Sequence, residues 1–209
     1  MSTMSIWLYG AMAALLIAAP GLPAHAQRSA DARISSASSA FVTQIGEANI
    51  VTVRQNADRS QSIVHQSGNR NVASIRTDGN ARASATMIQS GSNNSASATQ
   101  AGQGLLSLAM VQQGVGNQMA ATQMGSAGIN SAVMSQMGDR NTATLTQSGS
   151  DNQAKLTQTG DDNAMTATQL GSRNMLVWDQ QGNKLPDLEI TQSGGASVQI
   201  MQTAGYGKP

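Results

Sequence analysis

The sequence predicts an all-β fold: a β-solenoid of stacked strand-turn-strand units whose alternate strands build two facing parallel sheets. Three observations carry this expectation. A glutamine returns about every eleven residues, alternate positions ahead of it are apolar, and a glycine-centred polar turn follows it. The glutamines stand at Gln44, Gln55, Gln66, Gln89, Gln100, Gln112, Gln123, Gln136, Gln147, Gln158, Gln169, Gln180, Gln192 and Gln202, with Thr77 in the place of one. A fixed short period marks a repeat architecture, whereas a disordered polar chain has no reason to keep one.

Composition agrees with a thin core. The 209 residues include no cysteine, 39% are hydrophobic, and only 2% are aromatic. Such a chain is poor in the large side chains that fill a conventional interior. Twelve basic residues against eleven acidic ones give a net charge of +1, and so no electrostatic case for nucleic acid or an anionic membrane surface.

The first element is residues 1–26. An apolar run from Ile6 to Ala19, a break at Pro20 and Gly21, and the small-x-small triplet Ala24-His25-Ala26 predict a secretory signal peptide cut after Ala26. The run is too short to span a bilayer. The lack of cysteine suits an exported protein that does not use disulfides. Residues 27–37 form a short N-terminal segment without a recognisable pattern, residues 38–202 carry the repeats, and residues 203–209 are a C-terminal tail.

Each repeat is expected to be a strand. Asn141, Ala143, Leu145 and Gln147 alternate with Thr142, Thr144 and Thr146; Asn152, Ala154, Leu156 and Gln158 repeat the phrase eleven residues on. This is period two, whereas a helix would space its apolar residues three and four apart. The turns between, "SGSD" and "TGDD", combine a glycine free to take positive φ with side chains that bond the backbone. Where the step slips, counting back six from the glutamine keeps the inward face: Ala83, Ala85, Met87; Leu106, Leu108, Met110; Asn130, Ala132, Met134; Pro186, Leu188, Ile190. From Ser38, Ala40, Val42 and Gln44 to Ala196, Val198, Ile200 and Gln202 this makes fifteen short strands.

A two-strand unit of this size cannot bury its apolar face alone, but stacked units share one continuous core. Inward amides then lie about 4.8 Å above like amides and can bond along the stack. Without partners, each would cost about 1 to 3 kcal/mol. The expected structural and self-assembly ladder comprises the fourteen glutamines together with Gly46 and Asn49, Gly68 and Asn71, Gly91 and Asn94, Gly114 and Asn117, Gly138 and Asn141, Gly149 and Asn152, Gly160 and Asn163, and Gly171 and Asn174. Some units depart from it. Ala57 and Ser60 follow Gln55, Arg82 takes the asparagine position after Thr77, and the turns at Gln100, Gln180 and Gln192 end in Leu105, Leu185 and Ser197.

The phrase N-x-[AVM]-x-x-x-Q-x-G-x-x-N, as in "NTATLTQSGSDN" and "NQAKLTQTGDDN", resembles the curlin repeat of the bacterial curli amyloid subunits. The match runs from Ser38 to about Gln202, with complete turns at Gln44, Gln66, Gln89, Gln112, Gln136, Gln147, Gln158 and Gln169. The resemblance implies a secreted subunit, major or minor, that polymerises into extracellular curli-like (pilus-like) amyloid fibres serving cell adhesion and biofilm matrix. It also implies self-association, a second curlin subunit as nucleating partner, and a dedicated outer-membrane export channel.

Other chemistry has little support. Asp151, Asp161 and Asp162 read as solvated turn residues, since the nonapeptide of calcium β-rolls is absent. His65 points outward with no second ligand near it in sequence. Trp178 and the inward methionines read as core. No nucleophile elbow or phosphate loop occurs, so neither enzyme activity nor a cofactor, metal or small-molecule substrate is expected. The alternative function is a monomeric binding solenoid, of ice- or polysaccharide-binding type, because outward Thr99, Thr122, Thr146, Thr168 and Thr191 line one column. Against it, only Thr142, Thr144 and Thr146 make a unit of threonine throughout, and Arg54, Arg76, Asp187 and Glu189 interrupt its neighbours, as outward charges that read as scattered.

Overall fold

The computed structural model describes residues 5–8, 14–18, 29–34, 37–57 and 59–204. Its strands, in chain order, are β1 (Ser5–Leu8), β2 (Ala14–Ala18), β3 (Ser29–Ile34), β4 (Ser39–Ile45), β5 (Ile50–Ala57), β6 (Gln61–Asn69), β7 (Val72–Gly79), β8 (Arg82–Ser92), β9 (Ser95–Gly102), β10 (Leu105–Val115), β11 (Gln118–Gly125), β12 (Ile129–Met137), β13 (Thr142–Ser150), β14 (Gln153–Thr159), β15 (Ala164–Ser172), β16 (Met175–Gln181), β17 (Leu188–Ser193) and β18 (Ser197–Thr203). The odd strands form one nine-stranded sheet and the even strands a second. All neighbours pair in parallel, as the sequence predicts. The fifteen expected repeats are β4 to β18.

Alternation explains the burial. In β13, Ala143, Leu145 and Gln147 are buried while the residues between them face outward. Across the stack Val42, Val53, Ile75, Met87, Met110, Met134, Leu145, Leu156, Met165 and Trp178 fill the main core between the sheets, and Ala81, Ala83 and Leu106 form a small second cluster. Large residues are few, so alanines pack among them. At the C-terminal end Ile190, Val198 and Ile200 are only partly buried, because β17 and β18 are the last strands of their sheets among the described residues.

The chain climbs evenly. Gln55 Nε2 donates to the carbonyl of Ser39, Gln66 to that of Ile50, Gln100 to that of Ser84 and Gln147 to that of Ser131. The acceptor always stands at the start of the preceding strand, whichever sheet that strand is in. Every strand therefore bears the same relation to its predecessor: a half-turn about the long axis and half a strand spacing along it.

Three strands precede Ser38. β3 pairs with β5, Ala30, Ala32 and Ile34 opposite Val51, Val53 and Gln55, although residues 27–37 show no repeat in sequence. β1 continues the odd sheet from β3, and β2 continues the even sheet from β4. The proposed cleavage triplet Ala24 to Ala26 and the tail from Gly205 lie outside the described residues.

Candidate functional site: amide ladders and stack ends

Register turns the periodic glutamines into hydrogen-bonded columns. In the even sheet Gln44, Gln66, Gln89, Gln112, Gln136, Gln158, Gln180 and Gln202 are linked in series, each Nε2 donating to the next Oε1 at 2.7 to 3.0 Å. In the odd sheet Gln100, Gln123, Gln147, Gln169 and Gln192 do the same at 2.8 to 2.9 Å. Both run donor to acceptor towards the C-terminal end. The stack is thus polar; at its C-terminal end Gln192 Nε2 donates to the carbonyls of Met175 and Ala196, and Gln202 Nε2 to that of Pro186.

The odd ladder is broken where the sequence substitutes threonine. Thr77 lies between Gln55 and Gln100, and Gln100 Oε1 has no partner. Gln55 Nε2, deprived of an amide ahead, donates to Ser62 Oγ at 2.9 Å. Its Oε1 is also buried without a partner, because Ile34 occupies the rung before.

Asparagines form a second set of columns at the foot of each strand. Asn49 Oδ1 accepts the backbone N–H of Asn71 at 2.9 Å, and Asn49 Nδ2 donates to the carbonyl of Gly68 at 2.7 Å. Asn71, Asn94, Asn117, Asn141 and Asn163 repeat both bonds, the last to Leu185 N–H and the Gly182 carbonyl. The conjunction of Gln, Gly and Asn now has a cause: each turn carbonyl is exposed at a glycine and closed by an asparagine from the rung before.

In the other foot column Asn130, Asn152 and Asn174 follow Ser38, Ser60, Ala83 and Leu106. Ser60 N–H donates to Ser38 Oγ, and the apolar pair interrupts the chain of bonds. Counting five on from the glutamine or its substitute Thr77 therefore misses the foot at four places: Ala83, Leu106, Asn130 and Ala196 take it, whereas Arg82, Leu105, Gly128 and Ser197 are exposed. Counting back six is corrected at one, since Leu185 is buried at the foot and Pro186 is exposed. The cause is a change of turn length by one or two residues.

The glycines stack closely. Gly138 and Gly149 have φ of 111° and 119°, and a Cβ on either would strike the carbonyl oxygen of Gly160 or Gly171 in the next rung.

Of the turn aspartates read as solvated, Asp151 is exposed, and both it and Asp161 also bind backbone. Asp161 Oδ1 accepts Asp139 N–H at 2.8 Å, Asp151 Oδ1 accepts Ile129 N–H at 3.0 Å, and Asp139 does the same for Val115. Asp162 pairs with Arg140 through two hydrogen bonds of 2.6 and 2.9 Å. That contact holds the Asp162 carboxyl below its ordinary pKa and the Arg140 guanidinium above its own. Among the described residues no cluster of three or more His, Cys, Asp or Glu is placed to hold a metal.

Outside the ladders, Thr99, Thr122, Thr146, Thr168 and Thr191 do share one outward column of the odd sheet. The same column continues as Arg76, Arg54 and Arg33, so these outward charges are not scattered: three arginines occupy successive rungs. Arg76 is ion-paired to Asp78. His65 lies on the outer face of the even sheet between Thr43 and Ile88. Trp178 is fully buried in the core, its indole N–H without a partner.

The family model described as the curlin associated repeat matches residues 130–160. That stretch runs from the foot of β12 through β14 and contains the ladder residues Gln136, Gln147 and Gln158. Neither a curated protein nor a solved structure matches the chain. Residues 130–160 thus match a curlin associated repeat, set in a solenoid of two parallel sheets.

Proposed function

We propose that this curlin-repeat chain is a secreted structural subunit that stacks end to end into extracellular curli-like amyloid fibres, serving adhesion and biofilm matrix. The observation that carries this is the polarity of the amide ladders. At one end Gln202 Nε2, bonded to the Pro186 carbonyl, has a second N–H for an incoming oxygen, and Gln192 Nε2 would exchange its bond to the Ala196 carbonyl for one; at the other end Gln55 Oε1 is buried without a donor. A copy placed head to tail satisfies both; head to head would oppose donor to donor. Contacts of this heterologous kind generate open filaments, and unpaired edge strands favour further pairing.

Export begins, in this reading, with cleavage after Ala26, and Gln27 becomes the first residue of the exported chain. Passage through an outer-membrane channel and nucleation by a second curlin subunit follow from the resemblance of the repeat. Purified protein agitated in solution is expected to form thioflavin-positive fibres that diffract at about 4.8 Å and 10 Å. A chain that stays monomeric through days of agitation would remove the fibre reading and favour the binding solenoid. Mass spectrometry of secreted material tests the processing, and retention of residues 1–26 would argue for a membrane-surface anchor instead.

A further inference from the structure

We propose that β3 is a displaceable end strand, and that its release lets the next copy join rotated by a half-turn about the fibre axis. In that junction Gln202 of one copy donates to Gln55 of the next and Gln192 donates to Gln44. The inference rests on the fibre reading above and on cleavage after Ala26, which removes β1 and β2 and leaves β3 and β4 at the N-terminal end.

Two features show that β3 fits its place poorly. Ile34 sits where the ladder requires an amide, and it buries Gln55 Oε1 without a donor. Arg33 is paired directly with Arg54, itself paired with Arg76, so β3 adds a like charge at strand spacing. Unsatisfied buried acceptors and like charges on directly opposite residues both disfavour a pairing. No other strand pairing of the odd sheet from β5 onward combines the two.

The parity of the strands then decides how copies meet. Successive strands are related by a half-turn, so the strand after β18 must lie on β17, in the odd sheet. With β3 docked there are sixteen strands, and the next copy stacks without rotation, β3 on β17 and β4 on β18. Gln202 then meets Gln44, but Gln192 meets Ile34 and one ladder ends at every junction. With β3 released there are fifteen. The next copy turns by half a revolution, β4 lies on β17, and β5 lies on β18.

In the second arrangement each column continues in kind. Gln192 meets Gln44, Ile190 meets Val42 and Leu188 meets Ala40. Gln202 meets Gln55, Ile200 meets Val53 and Val198 meets Val51. The orphaned Gln55 Oε1 receives the Gln202 amide, and the partly buried Ile190, Val198 and Ile200 are covered. β3 and an incoming β18 compete for one edge, that of β5, so β3 also restrains premature growth.

The test uses the protein as recovered after export, its first residue read by mass spectrometry, with fibres first verified by diffraction. The chain has no cysteine, so single substitutions report cleanly. In the rotated junction Thr191 of one copy faces Thr43 of the next; in the unrotated junction Met201 faces Thr43. Directly opposed parallel residues lie about 4.8 Å apart, within reach of a disulfide. Fibres grown from mixed Thr43→Cys and Thr191→Cys chains are expected to give at least ten times more oxidised heterodimer than fibres from Thr43→Cys and Met201→Cys. The reverse order, or equal yields, overturns the rotation. Ile34→Gln supplies the missing donor to Gln55 and holds β3 in place, so seeded elongation is expected to slow severalfold. If copies instead stacked through β3, the same change would complete the ladder and speed elongation; an unchanged or faster rate overturns the release of β3. Failure to form any fibre overturns the fibre reading and this inference together.

Discussion

The amide oxygen of Gln100 lies one rung above Thr77 and accepts no hydrogen bond. Two rungs on, the same atom of Gln147 accepts from Gln123 at 2.8 Å. The difference is the side chain beneath: threonine carries no amide to donate. Gln55 and Gln100 fill equivalent places on either side of Thr77, so the column has room for a glutamine there. Thr77→Gln is expected to raise stability by about 1 to 2 kcal/mol, the cost of a buried unmet acceptor. Denaturant unfolding of the soluble chain measures this, and an unchanged midpoint would mean the orphaned oxygen costs nothing.

Much of this arrangement is legible in sequence, and what is not has a physical cause. The strands and the glutamine columns are visible because the seven residues from foot to glutamine keep their length through every slip but the one before Gln192, as Asn141 to Gln147 and Asn130 to Gln136 both do. The foot column is less visible in the forward direction, because turns vary in length. Ala83 and Leu106 are displaced by one residue from the count, and Asn130 by two. Asp161 and Asp139 did carry a signal, since Asn69 and Asn183 stand at the same place after a glutamine and glycine. Their bond reaches a backbone N–H 22 or 24 residues away, which only a known register reveals. β3 has neither the glutamine nor the turn by which its neighbours are recognised, and its pairing with β5 emerges only from the stack.

Gly149 carries a steric prediction. Its φ of 119° is costly for any L side chain, and an added Cβ would meet the Gly171 carbonyl, which is fixed in the sheet and closed by Asn152 at 3.0 Å. Gly149→Ala is expected to destabilise the chain by about 3 kcal/mol or more, combining backbone strain with overpacking. Gly194 has φ of 69° and nothing within 4 Å of the place a Cβ would take, so Gly194→Ala is expected to cost about 1 kcal/mol. Equal losses for the two would show that close stacking of the glycine column does not constrain the turns.

The Arg140–Asp162 clip gives a pH prediction. Asp162 titrates below its ordinary value chiefly because Arg140 hydrogen-bonds its charged form. Its contribution is therefore complete above the ordinary carboxylate range and is lost as pH falls through the lowered folded value. Arg140, raised above its already high value, stays charged throughout that window. Both groups are exposed, so the effect is small and is screened by salt. The difference in unfolding midpoint between the native chain and Asp162→Asn is expected at neutral pH and low salt, and should vanish towards pH 2. A difference that persists there would assign it to packing rather than to charge.

The last prediction separates ladder amides from charge as the driver of assembly. From Gln136 to Gln180 the step is eleven residues without a slip, and Gln147 and Gln158 each sit within an unbroken ladder. Identical side chains can then meet in register between chains. The stretch from Asn49 to Gln66 holds Gln55, whose oxygen is unmatched, has Ala57 in place of the turn glycine, and carries Arg54, Asp58 and Arg59. A peptide spanning Asn141 to Gln158 is expected to form fibres readily, and the equally long peptide from Asn49 to Gln66 slowly or not at all. Charge alone could produce that contrast. The control is Gln147→Ala with Gln158→Ala in the first peptide, which removes the ladder amides and leaves net charge untouched. Slower thioflavin kinetics in the control would assign assembly to the amides; an unaltered rate, or an early peptide that assembles as fast, would leave backbone pairing and apolar burial as the forces that join one copy to the next.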